Sequence, residues 1–401
     1  MRFSRGNEAT MLKVRNMGQY TEDVLMSIET KPRAYRPSRI SIDFKALEHN
    51  FSELKKLVSP SKLSVAVKAN AYGHGLVEIS KRLEQLGVDM LCVATAEEAL
   101  ELRRANINCA IIILSEPPRE AIGQCYLHDI TFSVYTLEAI DTIAAHASKD
   151  KKAHVHLKID TGMNRVGINP SEALKFARYI HNHESLFFEG IFTHFATADE
   201  PGQPGTSMQL QKFESVLDEV EMAGLTPPII HAANSAAAIS MPSTRFSMVR
   251  VGIAMYGIYP DAKSSDIVDL EQVLSLSTEI SYLKTIKPGD SVSYGARYTA
   301  VRDTKVATLP IGYGDGVPRN LGTAGGHVLI YGTRCPIIGR VTMDQTMVDV
   351  TNVTCNVGDK VILLGQSGNA KIAPTEWGDL LGTISYEMIC NLSGRLEHIY
   401  D

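Results

Sequence analysis

Short apolar runs alternate with stretches of helical periodicity between residues 39 and 270 of this 401-residue chain. The runs are residues 63–67, 90–94, 110–114, 130–134, 154–159, 188–193, 228–231 and 247–251. Helical periodicity is clearest at 95–105, 136–147, 170–182 and 207–223, and Thr95 with Glu98 has the pattern of a capping box. Eight strands that alternate with helices favour a closed parallel (β/α)8 barrel over an open sheet. We therefore predict an N-terminal TIM barrel over residues 39–271.

The pattern changes after residue 272. Residues 306–309, 326–331 and 360–364 alternate in polarity or are β-branched, and turn-forming sequences recur at 287–290, 312–316 and 357–359. This predicts a C-terminal all-β domain over residues 272–401. A second domain also agrees with the length of the chain, because one hydrophobic core rarely exceeds roughly 250–300 residues.

The first 38 residues differ from both predicted domains. They carry several arginines and lysines without a continuous apolar run, so they do not resemble a secretory signal. We expect residues 1–38 to form a disordered or loosely docked extension, because chain termini are usually poorly ordered. An arm that reaches a partner subunit is the alternative.

The composition argues against several classes of partner. Lys and Arg number 40 against 45 Asp and Glu, and no basic tract is present, which argues against nucleic acid. No stretch approaches the ~20 apolar residues of a membrane span. The six cysteines include no CxxC pair and no zinc-ligand spacing. We therefore expect reduced thiols, no metal site and a cytoplasmic location.

Lys68 lies where the first apolar run ends in a loop of small residues, within the string Ser-Val-Ala-Val-Lys-Ala-Asn-Ala-Tyr-Gly-His-Gly at 64–75. A lysine beside an apolar strand usually reaches solvent. A desolvated lysine, however, loses its proton readily, and its amine condenses with carbonyl groups. Barrels of this type carry their chemistry at the C-terminal ends of the strands, where Lys68 is expected. Its position therefore favours a functional lysine.

Polar motifs also follow later strands of the predicted barrel. Residues 156–167 contain Lys158 and Arg165, residues 193–199 begin with Thr-His, and residues 249–253 read Val-Arg-Val-Gly-Ile. After the seventh strand, Ser235 supplies a hydroxyl at the start of a helix, which is a favourable anion site. Phosphate sites of such barrels tend to lie at this position.

The predicted β-domain contributes a further set of motifs. They are Val-Ser-Tyr294-Gly-Ala, Ile-Gly-Tyr313-Gly-Asp-Gly, Gly-Arg-Val-Thr-Met343-Asp-Gln and Ser-Tyr386-Glu. Each of these tyrosines alone would more commonly be a half-buried packing residue. Their combination with the barrel motifs is much more specific.

Together, from about Arg39 to the C-terminus, these motifs resemble the alanine racemases, pyridoxal-phosphate enzymes of fold type III. The resemblance implies that Lys68 carries pyridoxal 5'-phosphate and acts as one base, with Tyr294 as the second. In the family this tyrosine comes from the other subunit, which implies a homodimer with shared active sites.

The resemblance also implies a set of ligand contacts. The implied cofactor-binding residues are Lys68, Tyr72, Arg165, His194, Asn234, Ser235, Arg250, Gly252, Ile253 and Tyr386. The implied substrate-binding residues are Arg165, Tyr313, Met343 and Tyr386. Lys158 corresponds to the lysine that the family carbamylates, and Thr342 stands where many relatives have cysteine.

The implied function is that of a cytoplasmic isomerase that interconverts L-alanine and D-alanine and supplies D-alanine for peptidoglycan. A broad-spectrum amino-acid racemase of the same fold is the alternative. Decarboxylases of this architecture need a glycine-rich phosphate loop and a cysteine–aspartate segment, neither of which is found. A pyridoxal-phosphate carrier protein with the same barrel would lack the β-domain.

Overall fold

In the computed structural model, which describes residues 35–200, 202–392 and 394–401, eight parallel strands close into a barrel. The barrel strands are β2 (Lys62–Ala66), β3 (Met90–Val93), β4 (Ile111–Ile113), β5 (Ile130–Val134), β6 (Ala153–Lys158), β7 (Leu186–Phe192), β8 (Ile229–His231) and β9 (Met248–Val251). Each strand pairs with the next, and β2 pairs with β9 to close the ring. All eight predicted runs overlap these strands, so the predicted barrel is confirmed.

In the described part of the chain, one helix precedes the first barrel strand and seven more follow barrel strands β2 to β8. They are α1 (Phe44–Val58), α2 (Leu76–Gln85), α3 (Ala96–Arg104), α4 (Arg119–Leu127), α5 (Leu137–His146), α6 (Ala173–His181), α7 (Gly205–Met222) and α8 (Ser235–Ser240). The predicted capping box is present, because the Thr95 side chain accepts a hydrogen bond from the Glu98 amide while the Glu98 carboxylate reaches back to Thr95. Short 3-10 helices lie at Pro170–Glu172, Pro242–Thr244, Ile253–Tyr256, Ala262–Asp266 and Tyr313–Asp315.

The C-terminal domain is built on a seven-stranded sheet that includes a strand from the start of the chain. Its strands are β1 (Arg39–Ile42), β10 (Leu274–Glu279), β15 (His327–Ile330), β16 (Thr333–Pro336), β18 (Lys360–Ser367), β19 (Ala370–Ile372) and β20 (Glu397–Tyr400). Strand β1 precedes the barrel in the chain, yet it pairs antiparallel with β10 and parallel with β20. The barrel is therefore inserted between two strands of this sheet.

Two smaller sheets and two helices complete the domain. The remaining strands are β11 (Tyr282–Ile286), β12 (Ser291–Val292), β13 (Tyr298–Thr299), β14 (Thr304–Leu309) and β17 (Thr346–Asp349). Strands β11, β14 and β17 form one sheet, and β12 with β13 forms a hairpin. The helices, α9 (Pro374–Leu381) and α10 (Ser385–Cys390), were not predicted, because two helical turns are too short for a clear hydrophobic period.

One continuous apolar core joins the barrel to the large sheet, and a small separate cluster surrounds Val292 and Val306. The six cysteines, all within the described ranges, form no disulfide. In the part of the chain that the structure describes, no helix has the length and apolar character needed to cross a membrane. The predicted extension, residues 1–38, lies almost wholly outside the described residues and stays a prediction.

A glycine in the connection between the two domains generates a stability prediction. Gly257 has φ +74°, and a Cβ built there would lie 1.7 Å from the backbone oxygen of Glu271. Gly289 has φ +95° but open space around its Cβ position. Alanine in the left-handed region costs about 1–2 kcal/mol at either position, and overpacking adds about 1–3 kcal/mol at Gly257 alone. We expect Gly257→Ala to lower the thermal midpoint clearly more than Gly289→Ala, measured by calorimetry; equal losses would contradict the packing argument.

Candidate active site

Lys68 lies just past the end of strand β2 at the C-terminal mouth of the barrel and is partly buried. The next four residues, Ala69 to Tyr72, all have φ between +52° and +55°. Residues with a Cβ rarely enter this left-handed region, and a run of four is costly. Strained backbone of this kind concentrates at functional sites, where the surrounding structure must hold it.

Contacts from distant parts of the chain hold this strained turn. The Glu98 carboxylate accepts a hydrogen bond from the Ala69 amide at 2.7 Å. The Nε2 atom of His398, on β20, donates to the Gly73 carbonyl oxygen at 2.9 Å. A Cβ on Gly73 would lie 2.3 Å from the Ile389 oxygen, so α10 packs directly on the turn. The C-terminal domain thus fixes the loop that presents Lys68.

Cationic side chains gather at the mouth of the barrel around Lys68. Burial lowers the pKa of Lys68, and the charge of Arg165 lowers it further. Lys158 is only 5% exposed, and burial together with the charge of Arg250 lowers its pKa to about 8. Mutual repulsion therefore favours uncharged amines, and the cluster favours an anionic ligand.

Arg250 lies at the centre of this cluster and is buried. Its guanidinium donates hydrogen bonds to the Thr193 oxygen at 2.8 Å and the Ala232 oxygen at 3.0 Å. It also contacts Nδ1 of His231 at 2.9 Å and Nδ1 of His194 at 3.1 Å. Burial lowers the pKa of Arg250 to about 10, so the guanidinium stays charged near neutral pH. Burial and this charge hold the pKa values of both histidines well below their usual range.

A second group of predicted residues forms a cradle of small and hydroxyl-bearing groups beside α8. Asn234 caps this helix by accepting from the Ala237 amide at 3.1 Å. The Ser235 hydroxyl accepts from the Gly252 amide at 2.9 Å, and Ile253 begins the adjacent 3-10 helix. A Cβ on Gly252 would lie 2.6 Å from the Tyr72 hydroxyl oxygen, so only glycine leaves this space open.

Tyr386 completes the cradle from the C-terminal domain. Its ring centroid lies 6.1 Å from that of Tyr72, which is itself only 8% exposed. Burial raises the pKa of both tyrosines, so both hydroxyls keep their protons and can donate hydrogen bonds to an anion.

Three further predicted residues are exposed on the C-terminal domain. Tyr294 stands at the tip of the hairpin formed by β12 and β13, between Ser293 at φ +65° and Gly295 at φ +75°, and is 68% exposed. Tyr313, the first residue of the 3-10 helix Tyr313–Asp315, is 40% exposed, and Met343, on the neighbouring loop, is 53% exposed. Among the residues that the structure describes, no hydrogen bond or ring contact joins these three to Lys68.

Two family models cover most of the chain. The alanine racemase N-terminal domain matches residues 42–260, and the alanine racemase C-terminal domain matches residues 273–400. The chain belongs to the alanine racemase family. The predicted resemblance and the predicted fold class are therefore both confirmed.

Individual relatives agree with this assignment. An alanine racemase of Methanococcus maripaludis is 42% identical over 91% of this chain and 98% of its own length. The solved alanine racemase of Clostridium difficile 630 has a TM-score of 0.87 at 37% identity, covering 92% of this chain and 97% of that one. The Bacillus anthracis alanine racemase, solved with bound L-Ala-P, has a TM-score of 0.85 at 35% identity, covering 92% and 95%.

Within this alanine racemase fold, sequence reasoning missed several residues that contact the site. Glu98 was recognised only as a helix cap, and its second carboxylate oxygen supports the Lys68 turn. His231 ended the predicted strand at residues 228–231 and was given no role, yet it contacts Arg250 directly. Glu189 and His398 carried no local signal, because their partners are distant in sequence.

The position of Lys158 in this racemase fold generates a titration prediction. We expect its amine to lose its proton near pH 8, because burial and neighbouring cations disfavour the ammonium form. NMR of lysine-labelled protein in carbon-dioxide-free buffer would follow the titration, with Lys158→Met identifying the signal. In Arg165→Gln the midpoint should rise, since one repelling charge is lost. A midpoint above about 10 in the wild-type protein would show that the amine is not perturbed.

Proposed function

We propose that this enzyme is a pyridoxal-phosphate-dependent racemase that interconverts L-alanine and D-alanine with Lys68 and Tyr294 as its two bases. The observation that carries the proposal is Lys68, with its lowered pKa, in a cationic barrel mouth of the alanine racemase fold. The relatives that are named alanine racemase support alanine as the substrate. Residues 39–271 would bind the cofactor, and residues 272–401 would complete the site.

The residues present suit pyridoxal phosphate. The phosphate would be held by the hydroxyls and amides of the cradle described above, namely Tyr72, Ser235, Gly252, Ile253 and Tyr386. Asn234 would hold the helix that presents Ser235, and the cationic surroundings would balance the phosphate charge. Lys68 would attach the cofactor, with Arg165, His194 and Arg250 around it. When bound, the cofactor draws electrons from an attached amino acid and acidifies its α-proton.

Lys68 would move the α-proton on one face of the substrate. Its burial and the charge of Arg165 favour the uncharged amine, which is the form that accepts a proton. The contact between Glu98 and Ala69 would keep the amine in place during turnover. Positional control of this kind matters because a base must lie within hydrogen-bond reach of the proton it removes.

Tyr294 would serve the opposite face from a second copy of the chain. It stands exposed at a hairpin tip, and Tyr313 and Met343 are exposed on the same domain. An isologous dimer that buries these residues against the partner's barrel would form two equivalent sites. In such a site the Met343 amide and Arg165 would bind the substrate carboxylate, while Tyr313 and Tyr386 would limit the space for its side chain. A small side chain agrees with alanine.

Arg250 and Lys158 would tune the site. The Arg250 guanidinium stays charged near neutral pH, and a cation there opposes protonation of a ligand nitrogen beside it. This would limit side reactions that need a stronger electron sink. The Lys158 amine, largely uncharged above about pH 8, would add carbon dioxide and release one proton, giving an anionic carbamate beside Arg165. D-alanine supply for peptidoglycan is the corresponding cellular role.

The variant Tyr294→Phe would distinguish the roles of the two proposed bases, Lys68 and Tyr294. General bases contribute about 10²–10⁴-fold to the rate, so we expect at least a hundredfold loss of turnover. Racemisation assays with several amino acids would measure it. One alanine enantiomer should still exchange its α-proton with deuterated solvent through Lys68. Tyr282→Phe, at a tyrosine 58% exposed in the same domain, is the matched control and should keep full activity. A loss below tenfold, or equal exchange from both enantiomers, would count against Tyr294.

Subunit exchange would test the shared site. Homodimers of Lys68→Ala and of Tyr294→Phe should both be inactive, and a 1:1 mixture should recover about a quarter of wild-type activity, since half the dimers gain one intact site. In the reciprocal control, wild type is mixed 1:1 with the double variant. If the site is shared between chains, activity should fall to about a quarter of that of the same amount of wild-type dimer, and if the site lies within one chain, it should fall only to about half. An inactive first mixture with verified exchange would place both bases in one chain.

A further inference from the structure

A chain of polar side chains crosses the barrel core from Arg250 to the opposite end of the barrel. Nη1 of Arg250 lies 2.9 Å from Nδ1 of His231, and Nε2 of His231 lies 2.9 Å from Nδ1 of His156. Nε2 of His156 lies 3.1 Å from a carboxylate oxygen of Glu189. Both imidazoles are fully buried. Four groups that are far apart in sequence therefore form one continuous line of hydrogen bonds.

The chemistry of its two ends gives this line a single direction. An arginine can only donate hydrogen bonds, so Nδ1 of His231 must accept from Arg250. A carboxylate can only accept, so Nε2 of His156 must donate to Glu189. Burial and the charge of Arg250 keep His231 neutral, and burial likewise disfavours the charged form of His156. A neutral imidazole carries one proton, so both rings hold it on Nε2. Every donor then meets an acceptor.

Glu189 lies near the N-terminal end of the barrel, where it receives further support. Its other carboxylate oxygen, Oε1, lies 2.8 Å from Nδ1 of His154. The Thr131 hydroxyl donates at 3.3 Å to Oε2, the oxygen that also faces His156. Burial opposes ionisation of Glu189, but the hydrogen bonds from the two histidines outweigh it and lower its pKa. The acceptor end of the line therefore stays charged. His154 itself has a side chain 49% exposed and lies outside the path to Arg250.

The backbone next to Glu189 makes room for the line. A Cβ on Gly190 would lie 2.5 Å from Nδ1 of His156, the atom that accepts from His231. Strand β7 thus presents a carboxylate to one nitrogen of this ring and a bare Cα beside the other. The ring plane is set by both neighbours, which fixes the middle of the line.

We propose that Glu189 is a positioning residue for Arg250, acting through His156 and His231. By fixing the tautomers of both rings, it ensures that Nη1 of Arg250 faces an acceptor. The other nitrogen, Nη2, is then left to the Thr193 carbonyl and to His194 at the mouth of the barrel. The effect on turnover rests on the proposed racemase function, whereas the proton positions do not.

Loss of the acceptor would have a defined consequence. In Glu189→Leu, the proton on Nε2 of His156 has no partner in a buried site, which is costly. If the ring moves this proton to Nδ1, His231 must reverse as well, and an N–H then faces the Arg250 guanidinium. Either arrangement disturbs the line. Glu189→Gln keeps an oxygen for His156 and can turn its amide NH₂ towards His154, which is free to change tautomer because it is half exposed.

Neutron crystallography of deuterated wild-type holoenzyme would test the proton positions directly. We expect deuterium on Nε2, and none on Nδ1, of both His156 and His231. Deuterium on Nδ1 of either ring would overturn the proposal without any variant. The proton positions can be measured whether or not the protein racemises alanine. A failure to racemise alanine would overturn the proposed function and would leave the test of the proton positions unaffected.

Racemisation kinetics of three variants would test the effect on Arg250. In metal sites, loss of a group that hydrogen-bonds a ligand costs about 10–100-fold. By analogy we expect Glu189→Leu to lose a similar factor in kcat, with little change in KM. Glu189→Gln should recover most of the loss. His154→Gln is the matched control: the residue lies outside the path to Arg250 and the glutamine amide is still a hydrogen-bond donor for Glu189, so kcat should stay at the wild-type value. A Glu189→Leu enzyme as active as His154→Gln, or a Glu189→Gln enzyme as impaired as Glu189→Leu, would overturn the proposal.

Discussion

Burial of the Arg250 guanidinium is the constraint on which the rest of the site depends. A buried charge is tolerated only where hydrogen bonds replace its hydration, and Arg250 finds two backbone oxygens and two imidazole nitrogens. Because the guanidinium stays charged, nearby amines and imidazoles become harder to protonate. Burial is the largest cause of the lowered pKa values of His194 and Lys158, and the charge of Arg250 lowers both further. The buried cation thus adds to the effect of burial on the protonation of its neighbours.

The second constraint is the left-handed turn after Lys68. Local backbone hydrogen bonds close the turn, such as Ala71 N–H to the Val67 oxygen at 2.7 Å and Gly73 N–H to the Ala69 oxygen at 3.1 Å. Four consecutive residues with positive φ are still costly, and Glu98, α10 and β20 help to hold them. Two of these three supports belong to the C-terminal domain. The position of Lys68 therefore depends on the contact between the barrel and the β-domain. Destabilising that contact should disturb the proposed catalytic site as well as the fold.

The sequence predicts the barrel well because parallel strands covered on both faces are nearly continuous apolar runs. Lys68 was predicted to be functional because barrel chemistry lies after strand ends, whereas Lys158 and Arg165 were predicted from the family resemblance. The pairing of β1 with β10 and β20 was not predictable, since a strand's partners depend on long-range packing. The line through Glu189 was missed for the same reason. A histidine or glutamate inside an apolar strand does not reveal which distant groups face it.

The supports of the Lys68 turn also bear on why the site would need two chains. Helix α10 and strand β20 already occupy one side of the turn, where Ile389 and His398 contact it. The hairpin that carries Tyr294 belongs to a different sheet of the same domain and presents its tip outwards. Among the described residues of one chain, no hydrogen bond or ring contact brings Tyr294 to Lys68, and the tyrosine is 68% exposed. We infer that a second copy supplies the opposite base, because its exposed hairpin can approach the barrel mouth as a rigid body.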